Sequence, residues 1–319
     1  MNFDLFMQRL VDGLSYGSVY ALIALGLVII YRGTGHLNFA QGEMALFSAY
    51  VVYQLGEWGI PVWIALLGGM IVGFFIGALA EVSLVRPIGK KSPFAVFIVT
   101  LGLFTFLNWL DGAIWGGQQL PTSAVGSKQP TFPDLFPSDP NDRFDFLGAS
   151  IRYERVGIFL LVLAIYGGLV LLFNYTKFGL AMRAVASNPE SSKLAGIRTN
   201  IVLMVSWGTA AAIGAVGGVV MAGLNGTVNL GLMFTIFIYG SAAATLGGFD
   251  SPGGAVIAGL IIGVVESLAS GGIGVKSVDR WAQDWVGSEM KLGVALLVIL
   301  VVLLWKPSGL FGTPKVERV

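Results

Sequence analysis

Residues 178–197, FGLAMRAVASNPESSKLAGI, interrupt a chain that otherwise reads as nearly continuous apolar helix. The run carries its own start and stop signals. Asn188 is a preferred N-cap, and Pro189 suits the first helical position because its missing N–H would be unpaired there anyway. Glu190 in the first turn and Lys193 toward the end complement the helix dipole. Gly196 stands where a left-handed C-cap glycine belongs. These signals predict a helix over 189–195, far too short to cross a bilayer. Upstream, 178–187 reads either as a second short helix or as the end of the preceding one. Helices this short are marginal in water and need a surface to pack on.

On either side lie apolar segments, 156–174 and 201–224, of the length that crosses ~30 Å of hydrocarbon. Similar segments recur at 10–31, 36–56, 59–84, 93–115, 229–248, 254–272 and 290–305, a count of about nine within a range of eight to ten. Composition agrees, with 55% hydrophobic and 12% charged residues, against roughly 25% charged in soluble domains. The 45 glycines suit helices that approach closely in lipid. The expected fold class is all-α: a polytopic transmembrane helical bundle forming one domain over 1–319. The N-terminal MNFDLFMQRLVDGLSYG lacks a basic n-region and a small-residue cleavage site, so the first apolar run reads as a retained span.

Charge placement gives an orientation. The 86–91 connection holds Arg86, Lys90 and Lys91 without an acid, and the 175–200 connection holds Lys177, Arg183, Lys193 and Arg198 against Glu190. The tail holds Lys306, Lys315 and Arg318 against Glu317. The positive-inside rule predicts that all three face the cytoplasm. The 116–155 loop balances Lys128, Arg143, Arg152 and Arg155 against Asp134, Asp139, Asp142, Asp145 and Glu154. It is expected outside, as is 273–289, with the N-terminus out and the C-terminus in. Within that loop QPTFPDLFPSDPND, 129–142, carries four prolines that argue against a long helix. It reads as a docking surface or as a lid or spacer.

The chemistry available is narrow. The absence of cysteine excludes disulfides, thiolate metal sites and cysteine nucleophiles. Gly89-Lys90-Lys91-Ser92 lacks the first glycine and the spacing of a phosphate-cradling G-x-x-x-x-G-K-[ST] loop. The single histidine, His36, leaves little material for a triad or a zinc site and reads as a satisfied boundary residue. No metal or cofactor is expected on this chain, and no nucleic-acid partner. An intramembrane enzyme would need a paired acid or a nucleophile–base set within spans, and no set has that spacing.

Ionisable residues inside spans are costly and default to function. Glu43, Glu81, Asp111 and Glu266 qualify; Asp111 stands near an outer surface, and Glu81 and Glu266 toward span ends, where a capping role competes with a pathway role. Asn38, Gln41, Ala45 and Ser48 recur at spacings of three, four and three, which places them on one helical face. With Glu43 they are candidates to line a translocation path, or to form a helix–helix contact beside it. Gly69, Gly73 and Gly77, and Gly259 with Gly263, recur every fourth residue and predict close helix packing. LNF (37–39) with VNL (228–230), and LAEVSL (79–84) with VVESL (264–268), hint at inverted halves.

The run 179–197 resembles the cytoplasmic coupling loop of permease subunits of bacterial ABC importers, specifically the LivH type of branched-chain amino acid uptake. SYGSVYALIALGLVIIYRGTGHLNFAQGEMALFSAY (15–50) resembles that family's N-terminal signature. AATLGGFDSPGGAVIAGLIIGVVESL (243–268) and WKPSGLFG (305–312) resemble two further family motifs, whereas 116–155 matches no part of the pattern. The resemblance implies a multi-pass permease subunit in a prokaryotic cytoplasmic (inner) membrane, with branched-chain or similar aliphatic amino acids as cargo. It implies a LivM-like second permease subunit, a periplasmic or lipoprotein substrate-binding protein, and cytoplasmic ABC ATPase subunits that use the ATP. It further implies that Gly179, Arg183, Ala184, Asn188, Pro189, Ala195 and Gly196 form the ATPase-coupling segment. Urea or short amides are the alternative cargo. From another class, an ATP-independent channel or secondary transporter would use Glu43, Glu81 or Glu266 as an ion relay.

Overall fold

The computed structural model describes residues 3–88, 93–116, 120–121, 135–136, 142–271 and 291–313. Most of the 116–155 loop with its proline-rich segment, the 273–289 connection, and Lys90, Lys91, Lys315, Glu317 and Arg318 lie outside the described residues. The helices are α1 (Phe3–Thr34), α2 (Gln41–Glu57), α3 (Val62–Ala80), α4 (Arg86–Ile88), α5 (Pro93–Trp115), α6 (Tyr153–Tyr175), α7 (Lys177–Ser187), α8 (Pro189–Leu194), α9 (Thr199–Asn225), α10 (Leu232–Gly247), α11 (Pro252–Gly271) and α12 (Lys291–Trp305). Each apolar segment of the hydropathy reading thus contains one of these helices. Among the described residues six helical stretches are long and apolar enough to cross a membrane by length and composition; α2, α10 and α12 are shorter. A π-helical turn, Glu81–Val85, joins α3 to α4.

Short strands accompany the helices. β1 (Leu120–Pro121) pairs antiparallel with β4 (Thr227–Val228), and β2 (Arg143–Phe146) with β3 (Ala149–Arg152). The β2–β3 hairpin turns at Leu147 and Gly148, both at positive φ (48° and 81°), the left-handed pair that a tight hairpin turn demands.

Two compact units divide the chain. One comprises Met1–Ala24, Phe136–Leu163 and Ile238–Val319. Here α1 meets α11 glycine to glycine, as the every-fourth-residue pattern predicts. A Cβ on Gly17 would lie 2.8 Å from the Gly259 carbonyl oxygen, and one on Gly259 would lie 2.6 Å from the Ala21 nitrogen. Only bare backbone permits that approach. Beside this seam Tyr20 donates to the Glu266 carboxylate and stacks on Tyr239 at 4.8 Å, so Glu266 is a hydrogen-bonded, half-buried acceptor. The tail motif folds back on the α10–α11 link: the Leu310 and Phe311 N–H groups donate to the Leu246 and Gly247 carbonyls at 2.7 and 3.1 Å. Two motifs distant in sequence therefore fasten to each other.

The other unit comprises Leu25–Leu135 and Ala164–Phe237. Its centre is α2, packed among α3, α5 and α9. On α3 the bulky residues Ile64, Leu67, Ile71, Phe75 and Leu79 form the exposed face, while Gly69, Gly73 and Gly77 are buried. This inverts the pattern of a soluble helix: in lipid the apolar face turns outward, and small residues bring backbones together. A Cβ on Gly77 would sit 2.5 Å from the Trp207 carbonyl oxygen of α9, and one on Gly73 would sit 2.8 Å from the Ser48 Oγ of α2.

Candidate functional site: a capped helix pair and a polar seam

The segment expected to couple to an ATPase folds as two helices, α7 and α8, both packed against α9. Thr176 caps α7 by accepting from the Gly179 N–H at 3.0 Å. Gly179 is buried, and a Cβ there would strike the Leu172 and Phe173 carbonyls. The chain can reverse tightly from α6 into α7 only because this residue has no side chain. Met182 and Val185 face inward, and Leu180 and Arg183 outward. Asn188 caps α8, its Oδ1 accepting from the Ser191 N–H at 2.9 Å, with Pro189 at the first helical position. At the other end the Gly196 N–H donates to the Lys193 carbonyl and the Ile197 N–H to the Ser192 carbonyl, both at 3.0 Å, with Gly196 at φ 83°. That bond pair is the Schellman closure, which satisfies carbonyls a helix end would otherwise leave bare.

Of the candidate coupling residues, Arg183, Asn188, Pro189, Ala195 and Gly196 are exposed, Ala184 is half-buried and Gly179 is buried. Beside them stand two exposed leucines that the sequence reading passed over, Leu180 at 62% and Leu194 at 91%. A second missed feature lies at the start of α9. Arg86 Nη2 donates to the Asn200 carbonyl at 3.0 Å and to Glu81 Oε2 at 2.5 Å, so the π turn is tied to α9, the helix that follows the α7–α8 pair. Glu81 thus has an ion-pair partner, in keeping with a capping role.

Asn38, Gln41, Glu43, Ala45 and Ser48 are all fully buried, but they do not share one environment. Gln41 Nε2 donates to the Ala210 carbonyl of α9 at 2.9 Å. A Cβ on Gly218 would lie 2.5 Å from the Ala45 carbonyl oxygen, and Ser48 bonds back to the Met44 carbonyl at 2.8 Å. The Asn38 Oδ1 accepts from the Ala40 N–H at 3.0 Å. The 41/45/48 face is therefore the helix–helix contact of α2 with α9 and α3.

Glu43 points elsewhere. Its Oε2 accepts from Asn108 Nδ2 of α5 at 3.2 Å, and Asn108 also donates to the Leu230 carbonyl at 3.0 Å. Farther along the same pair of helices Tyr50 stacks on Trp115 at 5.0 Å, and Trp115 Nε1 donates to Gln54 Oε1 at 3.1 Å. Asp111, fully buried, lies within electrostatic reach of Glu43 and Tyr50. Glu43, Tyr50 and Gln54 on α2 face Asn108, Asp111 and Trp115 on α5, forming a polar seam between two membrane helices. The spacings of seven and four on α2, and three and four on α5, were the available signal. It was hidden because each helix shows only its own half.

Several helices of membrane-crossing length, with a capped helix pair between two of them, are the build of a multi-pass membrane protein. The chain belongs to the family described as "Branched-chain amino acid transport system / permease component", whose model matches residues 9–303. The permease protein BraD of a high-affinity branched-chain amino acid transport system in Pseudomonas aeruginosa is 29% identical over 98% of both chains. The corresponding LivH of Escherichia coli is 29% identical over 100% of this chain and 99% of its own. A galactose/methyl galactoside import permease, MglC of Escherichia coli, is 26% identical over 80% of this chain and 74% of its own.

Proposed function

We propose that this chain is the membrane permease subunit of an ABC importer in a prokaryotic cytoplasmic membrane, and that it takes up branched-chain or similar aliphatic amino acids. The observation that carries the reading is the α7–α8 pair: a helix capped at both ends, with Arg183 and Leu194 exposed, seated on α9. An isolated two-turn helix has no intrinsic stability, so caps and packing that hold it rigid suit a part that must transmit force. A cytoplasmic ATPase subunit grips this pair, hydrolyses the ATP, and moves α9 through it. Because Arg86 holds Asn200 at the start of α9, the movement reaches α3 as well. A LivM-like second permease subunit completes the path, and a periplasmic or lipoprotein binding protein delivers the cargo. The N-terminus faces out and the C-terminus faces the cytoplasm.

The cargo assignment rests on the relatives that match along their whole length, which are named for branched-chain amino acids. In this account the 41/45/48 face holds the α2–α9–α3 contact beside the path, and Glu43 faces the path itself. The test is uptake by vesicles that hold this chain with its ATPase, second permease and binding protein. Leucine uptake that requires ATP, with urea and galactose excluded, is expected. Uptake by this chain alone, indifferent to ATP, would contradict the reading.

A further inference from the structure

The polar seam between α2 and α5 contains more acceptor oxygens than the described residues satisfy. Among the described residues Glu43 Oε1, both Asp111 carboxylate oxygens and the Tyr50 hydroxyl have no hydrogen-bond partner, and all three residues are 0–1% exposed. Among the described residues no lysine, arginine or histidine forms an ion pair with either carboxylate. Two buried carboxylates without a counter-charge are costly, and native proteins seldom leave such groups empty-handed. Something that donates hydrogen bonds and carries positive charge belongs there.

The surroundings indicate its shape. Leu107, one turn before Asp111 on the same face of α5, lines an open apolar groove of about 660 Å³ between α3 and α5, whose rim includes the exposed Leu79 and Phe106. Phe47, one turn beyond Glu43 on α2, lines the same groove. Phe47 also meets the Trp115 ring edge-on at 5.6 Å, and Trp115 stacks on Tyr50. An aromatic ladder thus joins Tyr50 to the apolar groove. A ligand with a cationic, three-donor head and an aliphatic body meets both needs at once.

We propose that Glu43, Asp111 and Tyr50 form a transit site for the α-ammonium group of the cargo, with its aliphatic side chain directed along Phe47 and Leu107. The inference rests on the amino-acid cargo proposed above. The three ammonium hydrogens match acceptors on Glu43 Oε1, Asp111 and the Tyr50 oxygen, while Asn108 holds the second Glu43 oxygen in place. Aliphatic cargo without an ammonium leaves the carboxylates unpaired and does not pass.

The experiment uses the reconstituted importer and photo-leucine, an aliphatic diazirine amino acid. Under ATP turnover the wild-type complex is expected to carry label on peptides from 43–55 and 102–115, and excess leucine should remove it. Asp111→Asn and Tyr50→Phe, checked for assembly with the other subunits, should lose that label and lower leucine uptake by tenfold or more at unchanged binding-protein affinity. Label confined to other segments of a transporting wild-type complex would overturn the site. So would an Asp111→Asn complex with wild-type uptake and labelling, which would mean that the carboxylates are merely protonated. If the wild-type complex takes up no leucine at all, the cargo reading fails first and the transit site falls with it.

Discussion

Arg86 holds the Glu81 carboxylate with two nitrogens, Nε at 3.1 Å and Nη2 at 2.5 Å. Glu81 is 1% exposed and opens the π turn that ends α3, whereas the Arg86 side chain is 31% exposed. A forked contact of this kind is among the stronger ones a protein makes. The guanidinium's further bond to Asn200 makes the pair a strut between α3 and the start of α9.

Removal of the strut should therefore destabilise the protein. Arg86→Met leaves a buried carboxylate without its partner, at a cost of about 3 kcal/mol. Arg86→Lys keeps the charge without the planar fork and should recover less than half of that. Thermal unfolding in detergent measures both, and coupled uptake should fall in Arg86→Met even at temperatures where the protein stays folded.

Close packing makes a second prediction. In Gly77→Ala the new Cβ meets the Trp207 carbonyl oxygen at 2.5 Å, and backbone cannot yield as a flexible side chain does. The overpacking should cost about 1–3 kcal/mol. Gly102 has nothing within 4 Å of its would-be Cβ, so Gly102→Ala should be neutral or stabilise by up to about 1 kcal/mol through helix propensity. Parallel unfolding curves separate the two.

The caps of α8 offer a third. Asn188→Ala removes the bond to the Ser191 N–H and should cost about 1 kcal/mol, whereas Asn188→Asp retains an acceptor. Gly196→Ala forces a side chain into φ 83°, at about 1–2 kcal/mol. Both losses are local. Hydrogen exchange should quicken over 188–198 while the overall unfolding transition stays nearly in place, and ATP-driven uptake should drop several-fold.

Which parts were legible in the sequence follows from where the information lay. Helix ends are written locally, so Asn188, Pro189 and Gly196 were readable residue by residue, and α8 closes within one residue of the expected boundary. Span positions were readable because lipid demands long apolar runs. The glycine faces of α3 and α11 were readable as a periodicity within one helix. Pairings between helices were not. Nothing in the α2 sequence says that Gln41 reaches α9 while Glu43, two residues on, turns toward Asn108. The Arg86–Asn200 bond spans 114 positions and crosses a chain reversal. Leu180 and Leu194 look like ordinary apolar residues until the fold leaves them uncovered.

The central claim is that the α7–α8 pair is the part the motor grips, and one measurement addresses it directly. The chain has no cysteine, so Leu194→Cys, at a residue 91% exposed, provides a single attachment point for a photoactivated maleimide cross-linker. Trp58→Cys, at a residue 70% exposed beyond the far end of α2, provides the control. In the assembled, leucine-transporting complex the account predicts capture of the ATPase subunit from position 194 and none from 58. Capture from 58 instead, or from neither position in a complex that transports, would contradict it.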